Sequence, residues 1–255
     1  MGRDVRDITS LVSNASSIKK NATKPDNVQP SKTPRKNRKK YKNLKILYFN
    51  CQGLANETRL YELENALQST KYDIIGLSEI KRCGERMIVR NNGNVFYYYG
   101  ETIGYRGVGF YISNRLVNHI SEIKGVSERI ACLKMKVDKN TNLLIIQVYA
   151  PTTVAEEKIT EEFYKLLEET YEKEKEYYTI IMGDWNAKIG NEGQKHPNIG
   201  KFTIGNTNEN GEKLINFMLK FNLKLGGSYF KKRAGRKWTW LSPDGNTKNE
   251  IDHPW

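Results

Sequence analysis

The sequence is 255 residues long, 38% hydrophobic, with a formal net charge of +13; that size supports one large domain or two small ones. No stretch approaches the roughly 20 apolar residues needed to span a bilayer, and residues 1–20 carry early charges without a continuous apolar core, so neither a membrane span nor secretion is expected. Three cysteines (Cys51, Cys83, Cys132) and three histidines (His119, His196, His253) lack metal-ligand spacing, which argues against a disulfide framework or a zinc site and for a reducing compartment.

The charge is unevenly placed. Residues 1–43 hold 12 Lys/Arg against three Asp, a net of +9, which leaves +4 for residues 44–255. Arg35, Lys36, Arg38, Lys39, Lys40 and Lys42 fall within eight positions. The segment is poor in large apolar residues and rich in Asn, Ser and Pro, so it is expected to be a disordered basic tail. Such a run solubilises a chain; it also suits nuclear import or binding to a phosphate backbone. A nuclear location follows as the expectation, with the cytoplasm as the alternative.

From residue 44 the pattern changes. Residues 44–50 read as a strand ending in polar Asn50, and residues 59–69 place Leu60, Leu63 and Leu67 at helical spacing. Residues 73–79 form a second buried strand ending at Glu79. Strands at 95–99, 107–112, 130–137 and 142–149 follow at the spacing of antiparallel hairpins. Residues 155–175 make a charged helix with Ile159, Phe163, Leu166 and Leu167 on one face. A strand at 178–183, a Gly/Asn-rich loop at 190–210 and a helix at 212–221 come next. A strand at 237–241 and a loop at 242–247 lead to residues 249–252. No internal repeat is visible. Hairpins mixed with βα units indicate an α/β sandwich with at least one mixed sheet.

Residues 180–190 are the most informative stretch. Three apolar residues and Gly183 deliver Asp184 and Asn186 to the end of a buried strand. In a strand the side-chain period is two, so Asp184 and Asn186 are expected to point to the same side. Neither belongs unpaired in an apolar core, where an unsatisfied polar group costs about 1–3 kcal/mol. A tight turn accounts for Gly, Asp and Asn as well. Asn50, Glu79, Tyr149, the Asp184/Asn186 pair and Asp252 all sit at strand ends. Singly, each suits a cap, a turn or core packing. Jointly they suit magnesium-assisted phosphoester hydrolysis, with carboxylate for a hard cation, amides and a phenol for phosphate oxygens, and carboxylate to align water.

Six ordered blocks carry a resemblance: Phe49-Asn-Cys-Gln-Gly53, Ile75-Gly-Leu-Ser-Glu79, Arg106-Gly-Val-Gly-Phe110, Val148-Tyr-Ala-Pro151, Gly183-Asp-Trp-Asn-Ala187, and Trp238-Thr-Trp-Leu-Ser-Pro-Asp-Gly245 before Glu250-Ile-Asp252. Over about four-fifths of the chain they resemble the endonuclease/exonuclease/phosphatase superfamily. The nearest likeness is to the endonuclease domains of LINE-type retrotransposons and to craniofacial development protein 2-like sequences. The resemblance implies a four-layer α/β sandwich of two mostly antiparallel mixed sheets flanked by helices, over residues 44–255. It implies Mg²⁺ as cofactor, with Mn²⁺ as substitute, and DNA as partner. Glu79 would hold the metal, supported by Asn50. Asp184 would position or deprotonate the attacking water, Asn186 would hydrogen-bond the scissile phosphate, and Tyr149 would lie against it. Asp252 would match the carboxylate that orients the family's catalytic histidine. Lys231, Lys232, Arg233 and Arg236 beside Trp238 and Trp240 offer cations and rings to a DNA-facing edge, or else those rings pack in the core.

The family also carries a later Ser-Asp-His segment. Here the sequence ends at Trp255, three residues past Asp252. The expectation is a domain lacking its last strands, with an open sheet edge and impaired cleavage. Asp252 and His253, as strand neighbours, would point to opposite faces and cannot replace the pair. Two other functions fit the same residues: a catalytically dead nucleic-acid-binding remnant, and a phosphatase of the same fold acting on phospholipid or inositol phosphates.

Overall fold

The computed structural model describes residues 44–232, 240–241 and 248–251. Two sheets form. The first has the order β1-β2-β5-β4-β3, from strands Ile46–Asn50, Ile74–Ser78, Val108–Ile112, Val95–Gly100 and Gly84–Val89. β1 and β2 are parallel and the remaining pairs antiparallel. The second has the order β6-β7-β8-β9, from Ile120–Ser127, Ile130–Asp138, Thr141–Tyr149 and Tyr178–Asp184. Its first three strands are antiparallel and β8–β9 is parallel.

Side-chain alternation divides the core into layers. Ala131 and Leu133 of β7 and Ile145 of β8 face the first sheet and pack in a cluster with Ile74 and Phe110. The intervening Ile130, Cys132, Leu144, Ile146 and Val148 face outward, in a cluster with Phe163, Leu167, Leu214 and Phe217. Those last four lie on helices α2 (Glu157–Glu174) and α3 (Glu209–Phe221). On the other flank, Leu60, Leu63 and Leu67 of α1 (Glu57–Leu67) cluster with Ile75, Leu77 and Tyr111. The result is the expected four-layer α/β/β/α sandwich.

Two strands are additional to those expected from sequence. β3 is an edge strand whose side chains are almost all exposed, and β6 carries Glu122 and Lys124. Neither presents the alternation that marks a half-buried strand. Helices α1 and α3 begin two or three residues before the apolar periodicity, because Asn56 and Asn208 cap them; their side chains accept from Arg59 N at 3.0 Å and Gly211 N at 2.8 Å. Of the strand expected at 237–241, residues 240–241 are described, as β10 (Trp240–Leu241) paired antiparallel with β11 (Lys248–Asn249). β9 is an edge strand among the described residues. Just past its end, Trp185 N donates to Ile251 O at 3.2 Å. No described helix is long and apolar enough to cross a membrane.

Candidate active site

The two parallel strand pairs end at one pole of the sandwich. Register places Asn50 beside Ser78, the residue before Glu79, and Tyr149 beside Asp184. Four of the expected residues therefore leave the same end of two facing sheets. Asn50 ties them together: its Nδ2 donates to Glu79 Oε1 at 2.8 Å and to Asp184 Oδ2 at 3.1 Å. Its Oδ1 accepts from Gln52 N at 3.1 Å. The Glu79 carboxylate acts on the Tyr149 phenol through its charge, and Lys81 Nζ lies 3.7 Å from Glu79 Oε2.

The backbone here is held in a sparsely populated conformation. Glu79 (φ 56°), Lys81 (φ 62°), Gln52 (φ 50°) and Asn186 (φ 48°) all adopt left-handed φ, which costs on the order of 1–3 kcal/mol for a residue with a side chain unless its surroundings enforce it. Hydrogen bonds do so: Cys51 N to Ser78 O (2.9 Å), Leu54 N to Ile80 O (2.9 Å) and Lys81 N to Arg106 O (2.7 Å). Gly183 is required for a different reason. Its φ is 145°, and a Cβ there would overlap Val148 O on the adjacent strand.

Asn186 corrects one expectation. β9 ends at Asp184, so strand alternation does not orient Asn186; a turn does. Asn186 N donates to Asp184 Oδ1 at 3.0 Å, and Asn186 Nδ2 donates to Ala150 O at 2.9 Å. Asn210, buried near the start of α3, donates to Asn186 O at 3.2 Å and to Pro151 O at 2.9 Å. The turn and the site are the same feature.

Electrostatics set the site apart from the rest of the surface. Burial pushes the Asp184 carboxyl up to about 6; Glu79 adds to the rise, against the Asn186 N–H and the Asn50 amide. Burial, then the charges of Glu79 and Asp184, raise the Tyr149 phenol above its ordinary value. Burial also lowers the Arg129 guanidinium, with Arg106 contributing. Arg129 Nη1 donates to Tyr149 O at 2.9 Å, and its guanidinium lies 5.4 Å from the centre of the Tyr149 ring. A carboxylate near neutrality can accept a proton from water. Two carboxylates bridged by one amide N–H group form a hard-oxygen pair, and a small cation would relieve their mutual repulsion. Among the described residues no three His, Cys, Asp or Glu side chains converge as a complete metal cage; Glu79 and Asp184 supply the carboxylate oxygens on hand, a small number that suits an ion keeping most of its waters.

Asn50, Glu79, Tyr149, Asp184 and Asn186 are thus brought together. Lys231 is exposed and Lys232 partly so; the backbone of Trp240 is in β10. Arg35, Lys36, Arg38, Lys39, Lys40, Arg233, Arg236, Trp238 and Asp252 lie outside the described residues. Lys81, Arg129 and Asn210 also touch or brace the site, and none of them is among the residues expected from sequence. Nothing in the local pattern singles out Arg129, which sits in the tight β6–β7 turn. Asn210 does carry a signal, as a polar residue on the buried face of an amphipathic helix.

No family model matches the sequence. Craniofacial development protein 2 from Tragulus javanicus and from Bos taurus are each 32% identical to it over 200 residues, 78% of this chain. Those residues make up 34% and 33% of the two relatives, so the chain spans about a third of their length. Three solved structures are similar in fold. A 3′ phosphatase from Neisseria, bound to a product DNA hairpin, is 17% identical with a TM-score of 0.55, covering 82% of this chain and 84% of its own. The endonuclease domain of TRAS1, a telomere-specific non-LTR retrotransposon, is 14% identical with a TM-score of 0.53, covering 82% and 83%. An AP endonuclease from Leishmania major is 11% identical with a TM-score of 0.56, covering 100% and 90%.

Proposed function

We propose that this chain, which has the fold of the endonuclease/exonuclease/phosphatase proteins, hydrolyses phosphodiester bonds in DNA with Mg²⁺ at the rim where its two sheets end, as an endonuclease domain of retrotransposon origin. The observation that carries this reading is the Asn50 amide bridging Glu79 of one sheet and Asp184 of the other. Glu79, with Asn50, would hold the cation. When bound, Mg²⁺ would supply positive charge for the phosphoryl and leaving oxygens; Mn²⁺ is the expected substitute. Asp184 takes a proton from the attacking water, a task that suits a carboxyl near 6. Tyr149 stays protonated and donates toward a phosphate oxygen, and Asn186 has a second amide hydrogen for the same purpose once the first is held by Ala150 O. These fixed donors need no rearrangement as charge develops. Asp252 would correspond to the carboxylate that orients the family's catalytic histidine.

Residues 44–255 are the proposed catalytic domain and residues 1–43 a separate basic segment. Arg35, Lys36, Arg38, Lys39 and Lys40, with Lys231, Lys232, Arg233 and Arg236, are proposed phosphate contacts, and Trp238 and Trp240 stacking surfaces. The nucleus is the proposed location. A second reading, a non-catalytic nucleic-acid binder, is favoured by one observation: residues 1–43 carry 12 Lys/Arg against three Asp. Incubating end-labelled duplex DNA and, in parallel, an inositol phosphate with the chain and Mg²⁺ tests the proposal. Internal cleavage of the duplex alone is expected. Phosphate release from the inositol compound with intact DNA would overturn it, and tight, salt-sensitive DNA binding without cleavage would favour the second reading.

A further inference from the structure

Two buried polar side chains below the rim have no role in the chemistry just described. Ser78 ends β2, Gln147 lies in β8, and both are fully buried. Gln147 Nε2 donates to Ser78 Oγ at 3.0 Å and to Val148 O at 3.2 Å, and Ser78 Oγ donates to Val148 O at 3.3 Å. The three bonds form a closed link between the two sheets. Gly76 makes room for it: a Cβ there would overlap Gln147 Oε1 and Met182 Cε.

Stability alone does not account for a glutamine here. Gln147 Oε1 has no hydrogen-bond partner among the described residues, and the neighbouring Ala131, Leu133, Ile145 and Met182 belong to the apolar core between the sheets. An apolar side chain of similar volume would avoid burying an unmet acceptor. Position supplies the reason. Glu79 follows Ser78, Tyr149 follows Val148, Asp184 is the register partner of Tyr149, and Asn50 is that of Ser78. Apolar packing sets the spacing of two sheets but leaves their relative slide loosely fixed, whereas hydrogen bonds fix both distance and direction.

We propose that Gln147 and Ser78 act as a cross-sheet clamp, positioning residues that fix Glu79 against Tyr149 and Asp184 and so set the cation affinity of the rim. The inference rests on the hydrolase reading above. Polar groups one layer behind metal-holding side chains typically change affinity or activity by about 10–100-fold.

The test uses the full 255-residue chain with Gln147→Leu, Ser78→Ala and, in case leucine does not pack, the unbranched Gln147→Met. Mg²⁺ affinity is read by titration calorimetry. Metal-free hydrogen exchange is read at the rim amides of Cys51, Ala150 and Asn186, which donate to Ser78 O, Asp184 O and Asp184 Oδ1. For the Gln147 variants the expectation is a Mg²⁺ affinity lower by about 10–100-fold and rim exchange faster by about tenfold, with the melting temperature unchanged or raised. Affinity and exchange within about twofold of the parent would overturn the clamp, as would a lowered melting temperature with uniform acceleration through both sheets. If the parent chain binds no Mg²⁺, the hydrolase reading fails. Rim-selective acceleration then supports the clamp by itself, and its absence overturns it.

Discussion

Replacing Asp184 by asparagine should make the protein more stable above neutral pH while disabling its rim. Asp184 is 5% exposed, and its folded-state pKa of about 6 stands above the ordinary 3.8. The folded state therefore holds the proton more tightly than the unfolded chain. That contribution is fully present below 3.8 and is lost as pH rises through about 6. The rise from 3.8 to about 6 corresponds to about 3 kcal/mol forgone above pH 7. Asparagine removes the buried charge and keeps Oδ1 as acceptor for Asn186 N, but loses the acceptor for Asn50 Nδ2, worth about 1 kcal/mol. The net expectation at pH 8 is a gain of about 2 kcal/mol, or about 4–8 °C in melting temperature for a domain of this size. Melts followed by circular dichroism from pH 4 to 8, with chelator present, measure it. The advantage should vanish by pH 4. A variant that melts with or below the parent at pH 8, or an advantage independent of pH, would refute the reasoning.

Other perturbations test other links. Glu79→Gln should weaken Mg²⁺ binding far more than Asn50→Ala, because only the carboxylate offsets the dehydration of a hard cation; equal calorimetric isotherms for Glu79→Gln and parent would reject the assignment. Gly183→Ala should lower stability by about 3 kcal/mol, since it combines a left-handed φ with a Cβ overlapping Val148 O. Urea unfolding should show it as a lower midpoint at unchanged slope. Deleting residues 1–43 should flatten the salt dependence of DNA binding, each lost phosphate contact removing about 0.9 from the log–log slope. An unchanged slope would make the segment a spacer or an import signal.

How legible the molecule is from sequence varies by element. Buried strands and amphipathic helices are plain, because burial on one face writes a period of 2 or 3.6 into the residue pattern. Exposed β3 and charged β6 are not, since their pairing is carried by backbone groups that leave no such trace. At the site, Asn50, Glu79, Tyr149 and Asp184 stand out as polar ends of apolar strands. The turn at Asn186 does not. Its left-handed φ and its bond to Ala150 O are set among partners distant in sequence, Ala150 and Asn210, so strand alternation finds the right neighbours for the wrong reason. Gln147 is visible as a polar residue within the apolar run 143–148, but only the facing Ser78 gives it meaning.

Plasmid nicking tests the central claim most directly. Supercoiled DNA is incubated with a molar excess of the 255-residue chain, with Mg²⁺ or with chelator, beside the Asp184→Ala variant. Mg²⁺-dependent conversion to open circles is expected, and it should be abolished in Asp184→Ala. Plasmid that stays supercoiled with Mg²⁺ present, or nicking that persists in Asp184→Ala, would contradict it.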